Sequence, residues 1–273
     1  KAFLNETPAM FCLDESIPEL LPVRIPQGNK GTFGKALIVA GSHNMAGAAV
    51  LCARACYRMG AGMVKVITCA SNRTIIQESL PEALLGTYED LEDSLVWADV
   101  IAIGPGLSRS EDALRALRCV LKESRKPLVM DADALNLTAE QDEIRELVIQ
   151  DTCGGRSIVI TPHVGELARI SGIPVPVLKE DIPGYERGTA EEFGAVVAAK
   201  DARAFICAQG KPICMNIRGT DGMATAGSGD VLCGIILSLM AQGLPGFEAA
   251  CRGVYLHALA GEAAAAEKGN HGM

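Results

Sequence analysis

A regular succession of short apolar segments, small-residue turns and helical patterns constrains the fold of this chain more than any other feature. Uninterrupted apolar runs are typical of strands buried on both faces of a parallel sheet, and the helical patterns predict helices that cover such a sheet. The predicted strands occupy residues 36–40, 63–68, 100–104, 127–131 and 158–161, and the helices residues 46–59, 110–123 and 164–170. Repeated βα units of this kind predict an α/β fold with a doubly wound, mostly parallel central sheet flanked by helices on both faces.

The rest of the chain extends this pattern without indicating a second domain. A chain of 273 residues with 49% hydrophobic residues can bury one large core, so we expect a single domain over residues 1–273. Residues 1–29 form a lead-in, and because the chain begins without Met we expect it to be trimmed or cut from a longer protein. The proline- and glycine-rich residues 174–188 predict a surface excursion. The later predicted elements are a strand at 195–199, edge strands at 204–208 and 212–215, and helices at 230–242 and 246–268.

Charge and cysteine content exclude several classes of partner. The formal net charge of −8 repels polyphosphate backbones and anionic membranes, and no stretch approaches the roughly 20 apolar residues of a membrane span. We therefore expect neither nucleic acid nor membrane among the partners. The ten cysteines are scattered through apolar runs and form no Cys-x-x-Cys pair, which is typical of reduced core residues. This pattern predicts a reducing, cytoplasmic location.

The strongest chemical signal is a glycine-rich segment at residues 222–230 that runs directly into a helical pattern. Glycines allow backbone N–H groups to converge, and a helix N-terminus adds partial positive charge, so this segment is suited to an anionic phosphate. Asp230, at its end, has two interpretations. It either complements the helix dipole, or acts as a general base on a hydroxyl while neighbouring amides stabilise a phosphoryl group. The length of the glycine-rich segment favours the second interpretation.

A second signal is the segment Thr-Pro-His-Val-Gly-Glu at residues 161–166, which follows a predicted strand. Proline and an acidic residue in a first turn are typical of a simple helix start. At the rim of a ligand crevice, by contrast, His163 would hydrogen-bond a substrate and Glu166 would organise a hydrated Mg²⁺ near phosphates. Both interpretations stay open. No dense cluster of His, Cys and Asp in the sequence indicates tightly bound zinc or iron.

Other strand ends carry small or acidic residues. Residues 41–49 and 104–107 lack bulky side chains and would admit a large ligand close to the backbone, although Gly-Pro-Gly is also a common turn. Residues 131–136 are equally compatible with a helix cap and with a role in a site. Residues 30–35 resemble part of a phosphate loop, but they precede their strand and lack its spacing, so we exclude that function.

Taken together, the motifs resemble the ADP/ATP-dependent NAD(P)H-hydrate dehydratase family, whose ribokinase-like domain often forms the C-terminal half of a bifunctional repair protein. The resemblance extends in order over nearly the whole chain, and as a set the motifs are highly specific. The resemblance therefore implies a ribokinase-like fold. The matching segments are residues 30–34, 40–42, 45–49, 80–82, 103–106, 131–136, 161–166, 222–230 and 253–257.

The resemblance implies an enzyme that restores NADH or NADPH from the S-epimer of its hydrate. It would phosphorylate the added hydroxyl with ADP or ATP and then release phosphate, with Asp230 as the base. The hydrated dinucleotide would lie against Gly47, Ala48, Gly106 and His163. The nucleotide would be bound by Lys200, Asp201, Ala202, Arg203, Ala204, Gly227, Ser228 and Gly229. Glu166 would bind Mg²⁺ through water, and the family further implies a homotetramer and a fused or separate NAD(P)H-hydrate epimerase as partner.

The nucleotide segment departs from the family pattern. The family usually has Lys-Gly-x-x-Thr where this chain has Lys-Asp-Ala-Arg-Ala at residues 200–204, so a hydroxyl is lost and a negative charge is added. An alternative alignment would place residues 198–203 in a helix. Two rival functions share the glycine-rich segment: a ribokinase-like kinase for a small alcohol or vitamin, and a nucleotide-sensing protein without catalysis. Asp230 argues against the second, and the segments around Gly47 and His163 favour the dehydratase over the kinase.

Overall fold

A single ten-stranded sheet forms the centre of the chain in the computed structural model, which describes residues 8–14 and 21–272. Its order is β1-β10-β9-β8-β7-β6-β5-β2-β3-β4, and every neighbouring pair is parallel except the two made by β9. The predicted doubly wound, mostly parallel sheet is confirmed. The strands are β1 (Met10–Phe11), β2 (Lys35–Val39), β3 (Met63–Ile67), β4 (Leu84–Gly86), β5 (Val100–Ile103), β6 (Leu128–Met130), β7 (Ile158–Ile160), β8 (Val196–Ala199), β9 (Phe205–Cys207) and β10 (Ile213–Met215).

The margins of the sheet differ from the prediction. Residues 204–208 and 212–215 were expected at the edge, but β9 pairs on both sides and β10 pairs with β1. The physical reason is that Met10–Phe11 of the lead-in adds a parallel strand and so covers the backbone of β10. In the part of the chain that the structure describes, β1 and β4 are therefore the edge strands. The remaining lead-in residues 1–7 and 15–20 lie outside the described residues.

Eleven α-helices within the described ranges cover both faces of the sheet, and none of them is long and apolar enough to cross a membrane. Successive side chains of a strand point to opposite faces, which explains why the strands are apolar throughout. One face carries α1 (Ala46–Arg58), α2 (Arg73–Ser79), α10 (Ser228–Ala241) and α11 (Gly246–Lys268). The other carries α3 (Leu91–Trp97), α4 (Glu111–Glu123), α5 (Asp133–Glu140), α6 (Asp142–Cys153), α7 (Val164–Ser171), α8 (Val175–Leu178) and α9 (Ile182–Phe193).

Residues 174–188 lie at the surface, as predicted, since most of them are exposed, but they are largely helical. They contain α8 and the first half of α9, and each helix has a proline in its first turn. Proline is compatible with this position because the N–H groups of the first turn make no hydrogen bond within the helix. Leu178 and Glu186 are fully buried, so the segment packs on the sheet. The alternative alignment with residues 198–203 in a helix is wrong, because β8 continues to Ala199.

The order of the strands reverses between β2 and β5. β3 and β4 lie on one side of β2, whereas β5 to β8 follow one another on its other side. At such a switch point the connections leave towards opposite faces and open a crevice beyond the carboxyl ends of the strands. The loops that follow β2 and β5 therefore border this crevice.

Close contact between α1 and α10 fixes the helices on one side of the crevice. A Cβ placed on Gly234 of α10 would lie 2.1 Å from the backbone oxygen of Cys52 and 3.0 Å from Cβ of Ala55. These distances leave no room for even a methyl group. The missing side chain of Gly234 therefore sets how closely the two helices approach.

We expect Gly234→Ala to lower the free energy of unfolding by about 2 kcal/mol, because the added methyl group forces α10 away from α1. The matched control is Gly188→Ala in α9, where an added Cβ would meet no atom within 4 Å. Alanine favours a helix over glycine by about 1 kcal/mol, so the control should be stabilised. Urea denaturation measures both variants, and equal stabilities would contradict the packing argument.

Candidate active site

Two glycine-containing loops form an open wall at the carboxyl edge of the sheet. The backbone N–H of Ser42 donates to the oxygen of Gly106 (2.6 Å) and joins the two loops. Gly106 has a φ of 55°, and a Cβ there would lie 2.8 Å from Cβ of Ala48. A Cβ on Gly47 would meet no atom within 4 Å. The structure thus brings Gly47, Ala48 and Gly106 together, with backbone open to a large ligand.

His163 and Glu166 cap the start of α7. Nδ1 of His163 accepts from the backbone N–H of Gly165 (2.9 Å), while Oε2 of Glu166 accepts from the backbone N–H of His163 (2.8 Å). The side chain of His163 is 54% exposed and that of Glu166 only 5%. The helix-start interpretation of residues 161–166 is confirmed. The same hydrogen bonds hold the His163 ring in a fixed orientation.

A largely buried ion pair joins the ends of β6 and β8. Nζ of Lys200 lies 2.6 Å from Oδ1 of Asp131, whose side chain is 1% exposed. Burial opposes the charge of Lys200, but Asp131 and Glu166 outweigh it and raise the pKa of the amine. Burial also raises the pKa of Glu166, against the opposing effects of Lys200 and the backbone N–H of His163. One cation therefore stabilises two acidic groups in this part of the crevice.

The glycine-rich segment brings Asp230 next to this ion pair. Gly227, with a φ of 93°, caps α10, and a Cβ on Gly229 would lie 3.2 Å from Nζ of Lys200. The absence of a side chain at Gly229 leaves the amine facing the helix N-terminus. Burial, together with the charge of Asp131, raises the pKa of Asp230 to about 6, although Lys200 opposes this shift. Such a carboxylate is ionised at neutral pH and basic enough to receive a hydroxyl proton.

A cavity of about 640 Å³ lies between the turn after β8 and helices α10 and α11. Of the eight residues expected to bind the nucleotide, Gly227 and Arg203 do not line it, and Arg203 is exposed on the turn. Asp201 lines the cavity but is also exposed to solvent, and the solvent screens its negative charge. The other six expected residues line the cavity together: Lys200, Asp201, Ala202, Ala204, Ser228 and Gly229.

Among the other residues that line the cavity, His257 and Arg218 carry side chains that the sequence did not assign to the site. Nε2 of His257 lies 3.4 Å from Oγ of Ser228, and burial lowers the pKa of His257 to about 4, so the ring is neutral at pH 7. Arg218 forms an ion pair with Glu262 (2.6 Å). His257 had a sequence signal, because it ends the matching segment 253–257. Arg218 had none, because nothing local marks a partner that lies 44 residues away.

Residues 131–136 both start a helix and contribute to the crevice. Asp131 pairs with Lys200, a partner that the sequence did not reveal. Asp133 begins α5, and its Oδ2 accepts from the backbone N–H of Ser108 (2.7 Å). The second contact ties the loop after β5 to the loop after β6.

The side chains do not form a metal cage. Within the described residues, no group of three or more His, Cys, Asp and Glu side chains could hold a metal ion. Oε1 of Glu166 lies 3.3 Å from Nε2 of His163, and Oε2 accepts the His163 amide, so the carboxylate keeps lone pairs for water. This donor set fits a hydrated Mg²⁺ held chiefly by phosphate oxygens.

The strand order and the glycine-rich start of α10 define a ribokinase-like α/β protein, as expected. The chain belongs to the NAD(P)H-hydrate dehydratase family, because the model of that family matches residues 36–273.

Similar proteins agree with this assignment. An ADP-dependent (S)-NAD(P)H-hydrate dehydratase from Neisseria meningitidis is 38% identical over 252 residues, covering 90% of this chain and 82% of the relative. The bifunctional NAD(P)H-hydrate repair enzyme Nnr from Escherichia coli is 37% identical over 95% of this chain and 48% of its own length. The solved ADP/ATP-dependent NAD(P)H-hydrate dehydratase from Bacillus subtilis, co-crystallised with ATP/Mg²⁺, gives a TM-score of 0.82 at 29% identity, covering 95% of this chain and 91% of that one. The chain spans about half the length of the bifunctional relatives.

The raised pKa of Asp230 has a consequence for stability. The folded-state pKa of about 6 exceeds the ordinary value of 3.8, so the ionised carboxylate destabilises the fold above pH 6, and the effect vanishes below pH 4. Replacing it by a neutral isostere, Asp230→Asn, should therefore raise the free energy of unfolding at pH 8. After allowance for partial exposure, we expect a gain on the order of 1 kcal/mol.

The control for this prediction is Asp142→Asn, an exposed acid in the first turn of α6. This variant should have a free energy of unfolding lower by roughly 0.3–0.5 kcal/mol, because its neutral side chain no longer interacts favourably with the helix dipole. Urea denaturation at pH 8 and pH 4 measures both. A destabilised Asp230→Asn at pH 8 would show that the carboxylate is favourably solvated in the fold.

Proposed function

We propose that this protein dehydrates the S-epimer of hydrated NADH or NADPH in a reaction that consumes ADP or ATP. The observation that carries the proposal is Asp230, a half-buried carboxylate with a pKa of about 6 beside a phosphate-binding helix N-terminus. Family membership and the names of relatives support the choice of substrate. A vitamin kinase or a nucleotide sensor has no comparable support.

The reaction begins with phosphoryl transfer. Asp230 accepts the proton of the added hydroxyl, and the hydroxyl oxygen forms a bond to the terminal phosphorus of the nucleotide. The bond from that phosphorus to the bridging oxygen breaks, and AMP leaves when ADP is the donor or ADP when ATP is the donor. The phosphorylated hydrate then loses phosphate, with cleavage of the carbon–oxygen bond and release of a proton from the adjacent ring carbon. These two losses restore the double bond of the reduced nicotinamide.

Positive charge near the transferred group comes from the backbone and from Lys200. N–H groups at the start of α10 point towards an anion bound there, and the helix dipole favours negative charge. Lys200 is ion-paired with Asp131 but lies close to Gly229, so its amine can also face a phosphate oxygen. Both groups stabilise charge that develops on the phosphoryl group.

The two ligands would approach Asp230 from opposite sides. The hydrated dinucleotide lies against Gly47, Ala48, Gly106 and His163, where backbone is open and the imidazole is exposed. The nucleotide occupies the cavity of about 640 Å³, with its phosphates at Gly227, Ser228 and Gly229 and the turn of residues 200–204 beside them. Glu166 would hold a Mg²⁺ ion through water beside the nucleotide phosphates. The ion would neutralise phosphate charge.

Location and assembly are further proposals. All ten cysteines are free thiols, which supports a reducing compartment such as the cytoplasm. Bifunctional relatives support a partnership with an NAD(P)H-hydrate epimerase, either fused to this chain or separate. We also propose a homotetramer.

Purified protein with Mg²⁺ and NADH hydrate should regenerate the absorbance of reduced nicotinamide when ADP or ATP is added. In Asp230→Asn, kcat should fall by about 10²- to 10⁴-fold, because the base is lost. Asp142→Asn removes another first-turn acid and should retain kcat. The proposed function fails if neither nucleotide supports regeneration, and an active Asp230→Asn would remove the base role.

The pH profile provides a separate test of the base. The carboxylate of Asp230 must be ionised to accept a proton, so kcat/KM, which reports the ligand-free enzyme, should fall on the acidic side with an apparent pKa of about 6. Below that pH, each unit should reduce kcat/KM about tenfold. Initial rates at ligand concentrations well below KM, between about pH 4.5 and pH 8.5, measure this profile. A kcat/KM that stays constant down to about pH 4.5 would contradict the prediction.

A further inference from the structure

A buried acid in α9 lies behind the nucleotide cavity. Glu186 is 0% exposed, and its Oε1 accepts from the backbone N–H of Ala199 (3.1 Å). Its other oxygen, Oε2, has no hydrogen-bond partner in the part of the chain that the structure describes. Burying a carboxyl group with one oxygen that makes no hydrogen bond is unfavourable, and the packing of a helix on a sheet does not require such a group. Neither the sequence motifs nor the proposed reaction accounts for this side chain.

The contact is made at the point where β8 ends and the wall of the cavity begins. Ala199 is the last residue of β8, and Lys200 is the first residue of the turn that lines the cavity. Successive backbone N–H groups in an extended strand point in opposite directions. That of Ala199 donates to Glu186, and that of Lys200 donates to the oxygen of Pro162 (2.7 Å). The backbone that carries Lys200 is thus held from both sides.

This double attachment affects where the Lys200 amine lies. Its side chain crosses to Asp131 on β6, and a small shift of the backbone would move the amine relative to Gly229 and the start of α10. Pro162, whose oxygen accepts the Lys200 N–H, directly precedes His163. The end of β8 therefore also borders the proposed substrate side. Glu186 is therefore coupled to the phosphate end of the cavity through one backbone amide.

The protonation state of Glu186 follows from its surroundings. Burial raises the pKa of Glu186 well above its ordinary value, and the Ala199 amide opposes this only in part. Both the protonated and the ionised forms of the carboxyl group can accept the Ala199 N–H. A glutamine, neutral at every pH and nearly the same shape, can replace it in this hydrogen bond.

We propose that Glu186 is a positioning residue for Lys200, and that it sets the affinity of the cavity for the phosphates of a nucleoside diphosphate. The proposal rests on the proposed function only in its choice of ligand. Glu186 does not touch the nucleotide. It acts by holding Ala199, and hence the backbone of Lys200, in place.

The test is calorimetric binding of ADP with Mg²⁺ to the full chain, without the hydrated dinucleotide. Glu186→Leu removes the acceptor and should weaken ADP binding about fivefold or more, the effect of one lost hydrogen bond. Glu186→Gln keeps the acceptor and should bind ADP within about twofold of the unmodified protein. Thr189→Val is the matched control, because it removes the hydrogen bond from the buried Thr189 hydroxyl to the backbone oxygen of Tyr185 and keeps the Glu186 acceptor. It should leave the affinity for ADP unchanged.

A second substitution covers the case in which Glu186→Leu does not fold. Glu186→Asp keeps the acid but withdraws the carboxyl group by one methylene, so it should weaken ADP binding while the protein remains folded by circular dichroism. Unchanged ADP affinity in a folded Glu186→Leu or Glu186→Asp overturns the proposal, as does equal weakening in Glu186→Gln. If the unmodified protein binds neither ADP nor ATP, both the proposed function and the role of Glu186 in nucleotide binding are contradicted. If the affinity changes as expected but no hydrate is converted, the positioning role stands and only the reaction fails.

Discussion

The ion pair between Lys200 and Asp131 is the interaction on which the rest of the crevice depends. It joins the end of β6 to the end of β8 and lies within reach of Glu166, Gly229 and Asp230. A buried pair of this kind contributes little net stability, because the desolvation of both ions offsets their attraction. The pair instead fixes a position: it places the Lys200 amine beside Glu166, Asp230 and the start of α10.

Backbone geometry lets these groups come together. Glycine at residue 229 leaves space for the Lys200 amine, glycine at residue 234 lets α10 approach α1, and glycine at residue 106 admits Cβ of Ala48. Each is a close approach between elements rather than a flexible joint. The glycine-rich start of α10 and the open wall around Gly47 and Gly106 are consequently held against the same sheet edge.

The charges around Asp230 lower the stability of the fold at neutral pH. The pKa of Asp230 is raised by burial and by Asp131, so its ionised form is less stable in the folded chain than in water. The incompletely bonded Glu186 is a further unfavourable group behind the cavity, and the lowered pKa of His257 costs stability only below its ordinary pKa of 6.5. Unfavourable groups gathered at one place are typical of sites that bind or transform a charged ligand.

The sequence by itself determined the repeated βα units, the glycine-rich start of α10 and the helix start at His163, because apolar runs, glycine conformations and first-turn residues are local properties. It did not reveal the helices within residues 174–188, where prolines fit first turns. It also misjudged the strands after residue 204, whose neighbour comes from the N-terminal lead-in. Only the tertiary structure decided that Asp131 pairs with Lys200, 69 residues later, and that Glu186 supports the end of β8. The physical reason is that strand order alone determines which distant side chains share a sheet edge, and no local pattern encodes that order.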